Sequence, residues 1–531
     1  MQPFRHLQEP RDWSRLLAII TIGIGASLRI WQAGANPSLW LDEAALANNI
    51  VDLPFPDLFQ PLRYGQVAPI GFLMLERAAV LALGASELAL RLVPLVSGVL
   101  ALVVFESTAR RLLTPWYALL ATWLFAVAVP LVFFSAEVKP YGVDVLAAVL
   151  ITWTVSAPIS ADWRTTAALA SLGLLAWVSN PAALILAGTG AALAILHVVR
   201  GVPRLRQLAV VGGLWVLIAA PAVWLTVRSV SPDNSAYLQQ RWAAGFVPRA
   251  PRRAIGWALD QLKDMFGASG TWVFNGGLHY GYVWIFVGLL AGGAVWFWRQ
   301  RRDVLVLMSG PMAVALGASV LRTYPFTERF IIFLIPSLLL LVAAGANQLS
   351  TIFRVRLAGA ALAGTLIVLS TAALARTPPP QRQEDLRPVL VSIGQQCRPD
   401  DVTYVYYGAG QAYRFYAQRL ELPCREHVIG RCARGRPDIL VEDLEAMRGK
   451  SRIWIVISHA SSHPEDVTTL RTYLDSIGRQ AAHIMERSGN DAQAYLYEID
   501  DYGWQKATAA PPAPRLSADD AWGCTGPLVN R

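Results

Sequence analysis

The feature that most limits what this chain can fold into is a series of apolar stretches about 20 residues long. They recur from residue 15 to residue 375 and are separated by short loops that carry arginine. Each is long enough to cross roughly 30 Å of hydrocarbon as a helix, and a soluble fold has no use for so many. Composition agrees. Only 16% of the 531 residues are charged and 54% are hydrophobic, whereas soluble domains carry about 25% charged residues. The net charge of +9 does not point to nucleic acid. Many of the arginines lie in short loops beside spans, where basic residues set topology, and no basic groove with interleaved aromatics occurs.

Those arginines predict an orientation. Arg11 and Arg15 precede the first stretch, and Arg110-Arg111, Arg164, Arg200/Arg204/Arg206, Arg299/Arg301/Arg302 and Arg354/Arg356 follow at intervals. If each group marks a cytoplasmic turn, the spans fall near 16–34, 92–110, 116–134, 142–158, 166–179, 181–199, 208–226, 281–298, 304–321, 330–348 and 357–375. The expectation is an α-helical polytopic membrane protein of about 11 spans, with its N-terminus cytoplasmic and its C-terminal region outside. Residues 67–84 are apolar but carry Glu76-Arg77 in the middle. Counting them as a crossing would put Arg110-Arg111 outside, so they are expected to form an interfacial or re-entrant helix. The first stretch is longer than a signal-peptide core and ten spans follow it, so it is expected to be retained.

The membrane region, 1–376, ends before Pro378-Pro379-Pro380. Residues 377–507 read as a small α/β domain, with helices near 384–396, 411–420 and 466–477. Strands are expected at 402–407, 453–458, 481–487 and 493–499. Residues 508–531, rich in Pro and Ala, are expected to be poorly ordered. All four cysteines, Cys397, Cys424, Cys432 and Cys524, follow the last span. That pattern suggests one or two disulfides in an oxidising compartment, with three pairings open. No GxGxxG or P-loop motif occurs, which disfavours a nucleotide-fuelled pump.

With this topology a particular set of polar groups shares the outer face. Asp42-Glu43 stands just past the first span, with Arg63, Tyr64, Gln66 and Arg91 on the same loop. Glu137, Lys139 and Tyr141 lie on the next outer loop, Asp144 is one turn into the following span, and Tyr324, Glu328 and Arg329 lie on the last. Carboxylates are costly beside hydrocarbon, so a pair there is a functional candidate. Carboxylates can take a proton or hold a cation, and guanidinium and ammonium groups hold phosphate. Blander readings exist for each: capping of the helix after Asp42-Glu43, headgroup contact by Arg91 and Arg329, an ion pair between Glu137 and Lys139, and a helix cap at Asp144.

At these residues the sequence resembles the GT-C glycosyltransferases, in particular the bacterial branch related to protein O-mannosyltransferases and the lipid A aminoarabinose transferase. The likeness covers most of residues 15–350. It rests on the acidic pair, the Ala68-Pro69-Ile70-Gly71-Phe72-Leu73 stretch, Ser86-Glu87-Leu88-Ala89-Leu90-Arg91-Leu92-Val93-Pro94, Ser135-Ala136-Glu137-Val138-Lys139-Pro140-Tyr141 and Tyr324-Pro325-Phe326-Thr327-Glu328-Arg329-Phe330.

The resemblance implies transfer of a sugar from a polyprenyl-phosphate donor to an envelope acceptor (glycolipid, glycan or protein) on the periplasmic side of a bacterial inner membrane. Asp42 would be the general base, Glu43 its support, and Glu137 a second acidic group able to share a divalent cation (Mg or Mn) with Asp42. Lys139, Arg63, Arg91 and Arg329 would hold the donor phosphate. Tyr64, Gln66, Tyr141, Tyr324 and Glu328 would line the substrate. Two departures stand out. Gln66-Val67-Ala68-Pro69 lacks the histidine common near that proline, and Glu137 stands where Asp is also common. The rival readings are a transporter or flippase of lipid-linked glycans, which would put its charges near the bilayer midplane within repeats, and a scaffold presenting the tail.

Overall fold

A computed structural model of the chain describes residues 10–160, 162–200, 205–230, 232–266, 281–352, 356–434, 436–461, 463–485 and 492–500. The segment 508–531, expected to be poorly ordered, lies outside the described residues. The chain divides into two compact units. One comprises residues 1–35, 68–229 and 239–381, and the other residues 36–67, 230–238 and 382–531.

The first unit is helical. Each of the eleven segments expected to span is helical, but they are not alike. Among the described residues, seven are long and apolar enough to cross a membrane: Trp13–Gly34, Leu92–Leu112, Asn180–Val199, Leu205–Arg228, Arg302–Val320, Glu328–Leu349 and Gly359–Arg376. An eighth is broken. Pro115–Val127 and Val129–Ala136 meet at a bend of 59°. The segment near 166–179 is a short helix, Trp163–Ser171, continued by a 3-10 stretch, Leu172–Trp177. Tyr141–Val155 is an apolar helix of 15 residues, and Gly281–Gln300 is a helix of 20. The left-out stretch forms Ile70–Leu83, 14 residues ending at Gly84 with φ +86°. Its length of about 21 Å falls short of a crossing. Large apolar side chains such as Ile19, Val198, Val216 and Leu217 face outward, as lipid-facing residues do.

Two devices hold this unit together. Small residues let backbones approach where lipid supplies no hydrophobic drive between helices. A Cβ on Gly293 would lie 2.0 Å from the Leu341 carbonyl oxygen, and one on Gly345 would lie 2.0 Å from that of Leu289. The helices Gly281–Gln300 and Ile335–Ile352 therefore cross at glycines one turn apart. The second device is Arg29, fully buried inside the first span. Pro130 has no N–H to offer the carbonyl of residue 126, four positions back. Arg29 Nη1 donates to that Ala126 carbonyl at 3.0 Å and to Gly25 O at 2.8 Å, while Nη2 donates to Phe125 O at 3.3 Å. The break in the eighth span thus keeps its backbone satisfied, as a low-dielectric setting requires.

The second unit holds a five-stranded sheet of β1 (Val402–Val405), β2 (Glu426–Ile429), β3 (Arg452–Ile457), β4 (Arg479–Met485) and β5 (Gln493–Glu498). The order is β2-β1-β3-β5-β4; β2, β1 and β3 run parallel, and β5 and β4 join antiparallel. Helices Leu386–Gln396, Gly410–Leu420, Asp438–Glu445 and Pro464–Ile477 cover it. The expected strands and helices are present. β2 and Asp438–Glu445 are additions that the sequence pattern did not supply. Cys397 and Cys424 form a disulfide, and Cys432 is also disulfide-bonded; Cys524 lies outside the described residues.

The segment 36–67 is tied into this unit. Ser38 N donates to Asp385 Oδ1 at 3.2 Å, Leu39 N donates to Tyr416 Oη at 2.7 Å, and Asn48 Nδ2 donates to Gln411 O at 3.1 Å. Arg387 Nη2 reaches Asn36 O at 2.7 Å.

Candidate functional site

In the helical unit, three loops expected to share the outer face meet at one end of the bundle. Arg91, 1% exposed, begins the helix Leu92–Leu112. A Cβ on Gly98 of that helix would touch Ser135, and one on Gly142 would touch the Pro94 carbonyl. The Arg91 turn and the 135–142 segment are therefore packed backbone to backbone. Glu137 and Lys139 lie within that segment, both buried at 3% and 8% exposure. A tight turn, with Lys139 N donating to Glu137 O at 2.7 Å, sets them side by side along the chain.

The third loop is Arg322–Phe330. Arg329 lies over the rings of Trp242 (5.4 Å), Tyr141 (6.0 Å) and Phe330 (6.0 Å). Such a cage holds a guanidinium in place by the attraction of its charge to the ring faces. Tyr324 donates from Oη to Phe330 O at 2.7 Å. Burial, with the nearby Asp144 and Tyr141 adding, raises this phenol well above its usual range, so it remains a neutral donor. Asp144, one turn into the helix Tyr141–Val155, is buried and hydrogen-bonded by the Ser179 side chain. Glu328 is exposed, with φ 43°.

The opposite end of this unit carries different groups. Arg110 Nη2 bonds Ser14 O, and Arg111 bonds Trp153 O and stacks over its ring at 4.9 Å. Arg302 lies over Trp298 at 4.9 Å. These are interfacial anchors rather than a pocket.

The other candidate residues belong to the second unit. Asp42 and Glu43 occupy the first turn of the helix Leu41–Asp52, where the helix dipole favours negative charge. Glu43 is buried at 2% exposure and Asp42 is half-buried. The helix has no side-chain N-cap, since Trp40 occupies that position. Asn49, one turn before the helix ends, bridges to the next stretch: it accepts from Arg63 N at 2.8 Å and donates to Arg63 O at 3.1 Å. Arg63 is exposed, Tyr64 sits at φ 73°, and Gln66 Nε2 donates to Tyr64 O at 3.4 Å.

The sequence pattern missed one group beside Asp42. His459 follows the end of β3 with φ 58°, and its Nδ1 is bonded to Glu384 Oε1. Its ring lies 6.4 Å from that of Trp40. Burial opposes its charge, but the Glu384 bond and charge, with Asp42 adding, hold its pKa above the usual histidine value. A lone His preceded by a buried strand gives no local signal of a site; only the fold brings it to residues 40–42.

Among the described residues, no group of three or more His, Cys, Asp or Glu side chains forms a metal site. Asp42 and Glu137 each offer the hard oxygen donor that Mg or Mn takes, and such ions are commonly held by one or two carboxylates plus water and substrate phosphate.

No protein-family profile matches the chain, and no curated protein matches it. Solved structures do. The oligosaccharyltransferase of Archaeoglobus fulgidus, in complex with Zn and sulfate, is 14% identical over 91% of this chain and 73% of its own, with a TM-score of 0.52. ArnT from Cupriavidus metallidurans in the apo state is 13% identical over 93% of this chain and 99% of its own, also with a TM-score of 0.52. The same ArnT bound to undecaprenyl phosphate is 14% identical over 92% and 98%, with a TM-score of 0.50. At these identities the likeness is one of architecture: the chain has a GT-C-type fold, a polytopic helical membrane region followed by a C-terminal α/β domain.

Proposed function

We propose that this protein is a membrane glycosyltransferase that moves a sugar from a polyprenyl-phosphate donor to a hydroxyl of an envelope glycolipid, glycan or protein. It acts at the periplasmic face of a bacterial inner membrane, with the N-terminus cytoplasmic. The observation that carries the reading is the meeting of Arg91, Glu137, Lys139, Tyr141 and Arg329 at one end of a helical bundle of GT-C type. The neighbours add support, since ArnT of this fold binds undecaprenyl phosphate.

The chemistry asks little of the protein and asks it in specific places. The acceptor oxygen attacks the anomeric carbon, its proton passes to the Asp42 carboxylate, and the bond from that carbon to the phosphate oxygen breaks. The electron pair leaves with the polyprenyl phosphate. A phosphate needs no proton to leave; it needs positive charge where its negative charge grows. Lys139, Arg91, Arg329 and Arg63 supply that charge, and Glu43 supports Asp42. Tyr324 joins Tyr64, Gln66, Tyr141 and Glu328 in contacting substrate. A Mg or Mn ion on either carboxylate would add charge beside the phosphate.

The test is sugar transfer from a polyprenyl-phosphate donor by Asp42→Asn and Glu137→Gln in native membranes. Loss of at least about 10²-fold in each is expected, on the scale of a removed general base or charge-stabilising group. Full transfer at unchanged protein level in either variant would refute the assignment of that residue, and in both the reading itself.

A further inference from the structure

A groove on the second unit is lined by none of the groups assigned to the candidate active site. It lies between the helix Pro464–Ile477 and the start of β5 at Gln493, and its volume is about 400 Å³, within the range of small-ligand pockets. Its helical wall runs from Pro464 to Asp475, about 16 Å along the axis. The sequence builds that wall by periodicity. Asp466, Leu470, Leu474 and Ile477 are buried, while Thr468, Arg471, Thr472 and Asp475 are exposed at i, i+3, i+4 and i+7, one polar stripe.

A polar stripe alone is an ordinary solvated helix face. What sets this one apart is the opposite wall and the network beneath it. Gln493, Tyr495 and Tyr497 alternate along β5 and share one face of the sheet. Tyr495, 4% exposed, has the His483 ring stacked on it at 4.3 Å and 5°, and the Arg471 guanidinium 5.2 Å from its centroid. Its Oη donates to Gln493 Oε1 at 2.9 Å, an oxygen that His483 Nε2 also meets at 3.3 Å. Tyr497 Oη donates to Asp475 Oδ1 at 2.8 Å. The two tyrosines thus fix Arg471, Gln493 and Asp475 before any ligand arrives, which lowers the entropic cost of binding. Gln493 keeps its Nε2 donor for a ligand, and Asp475 keeps its Oδ2 acceptor.

We propose that this groove binds a neutral saccharide portion of the acceptor. The one guanidinium and the one carboxylate oppose each other across a single helical turn, so the groove selects neither a phosphate nor a cation. Thr468 and Thr472 hydroxyls both donate and accept, as sugar hydroxyls do, and Gln493 and Asp475 add one donor end and one acceptor end. Ala460, Pro464 and Val467 supply a small apolar patch for the C–H face of a ring. A peptide added as a strand would need a regular sheet edge. The edge strand here, β4, changes register between Gln480 and Ala482, an irregularity that blunts strand addition. Position points to the acceptor rather than the donor. Ala460, on the groove wall, directly follows His459, whose ring is 6.4 Å from that of Trp40, two residues before the proposed base Asp42.

The word acceptor rests on the glycosyltransferase reading, whereas the saccharide chemistry rests on the side chains, and two measurements separate them. The first is saturation-transfer NMR on the full-length protein in a detergent without a sugar headgroup. The probes are mannotriose, maltotriose and tri-N-acetylchitotriose, with inorganic phosphate and a threonine-containing hexapeptide as competitors. Saturation is expected to reach at least one trisaccharide and to survive both competitors. Thr468→Trp, which fills the groove from an exposed position, should abolish it, and Gln493→Ala should raise the dissociation constant about three- to tenfold. Val391→Trp, at an exposed position of the helix Leu386–Gln396, should bind as wild type. No saturation of any trisaccharide, equal saturation in Thr468→Trp, or displacement by the peptide overturns the proposal.

The second measurement is steady-state transfer. Thr468→Trp should act through the acceptor KM rather than through kcat, the signature of lost binding shared by ground and transition states. A fall in kcat with the acceptor KM unchanged overturns the role in acceptor binding. A wild type that transfers no sugar yet binds a trisaccharide in the groove refutes the glycosyltransferase reading and leaves the saccharide site standing; transfer without saccharide binding does the reverse.

Discussion

Replacing Gly345 by Ala should loosen the helical unit markedly, as should the same change at Gly293. An ordinary Cβ contact is 3.4 to 4 Å, and this one would be made at 2.0 Å to the Leu289 carbonyl oxygen, with the Leu289 carbonyl carbon at 2.8 Å. Those are backbone atoms in a helix, so no side chain can swing aside. The helices Gly281–Gln300 and Ile335–Ile352 must separate by about 1.4 Å. A gap of even 0.5–1 Å forfeits a quarter to a half of each dispersion contact across a seam. Over some tens of atom pairs worth about 0.1–0.2 kcal/mol each, the loss comes to about 2–3 kcal/mol, in the usual range for overpacking. The same seam contains Gly293 against Leu341, one turn away. A second methyl there enters space the first has already opened, so Gly293→Ala with Gly345→Ala should cost less than about 1 kcal/mol beyond either alone. Gly212→Ala, where a Cβ meets nothing within 4 Å, serves as control and should be neutral or slightly stabilising by helix propensity. The assay is the half-life of tryptophan fluorescence at fixed elevated temperature in detergent, which remains meaningful when unfolding is irreversible. A Gly345→Ala protein as long-lived as wild type, or a double variant whose cost is the sum of the singles, would refute the argument.

Two further outcomes follow from the geometry. Lys139→Met should lower single-turnover transfer in proteoliposomes by about 10²–10³-fold: one unit of charge growing about 4 Å from an ammonium is worth up to ~4 kcal/mol at an effective dielectric of 20. Lys139→Arg should stay within about tenfold, and a Met variant keeping a third of the activity would remove Lys139 from the phosphate site. In the α/β domain, Asp401 accepts from Arg452 Nε at 2.8 Å, Arg398 N at 3.0 Å and Trp454 Nε1 at 3.0 Å. Burial opposes its charge, but these bonds and the Arg452 charge win and lower its pKa. A depressed carboxylate stabilises the fold above its unfolded pKa of about 3.9, and that contribution is lost as pH falls through the lower folded value. Asp401→Asn should therefore lower the thermal midpoint of this domain in the full-length protein at pH 7 and do so progressively less toward pH 3; an equal loss at both would count against it.

Periodicity made the helical segments legible because lipid demands long apolar runs, and it made the buried strands β1 and β3 legible because they are short apolar runs. It could not see β2. Glu426-His427-Val428-Ile429 is a short edge strand with two exposed polar residues and no apolar signature. The break after Val127 was invisible for a related reason: the segment 116–134 is apolar throughout, and hydropathy does not register that Pro130 leaves a carbonyl without its donor. Asp42, Glu137 and Arg329 stood out as charges beside membrane spans. His459 and Glu384 did not, because an ordinary polar residue in a soluble domain looks the same whether it faces water or a neighbour more than 300 positions away. That meeting is a product of tertiary structure alone.

The grouping of residues 36–67 with residues 382–531 has a practical corollary for anyone exchanging parts between proteins of this fold. A hybrid that imports a foreign tail while keeping this first loop would sever Ser38 from Asp385, Leu39 from Tyr416 and Asn48 from Gln411 in one stroke. Its acidic helix would lose the floor it stands on, and a dead hybrid would say nothing about specificity. Loop and tail form a cassette, to be transplanted together or left alone.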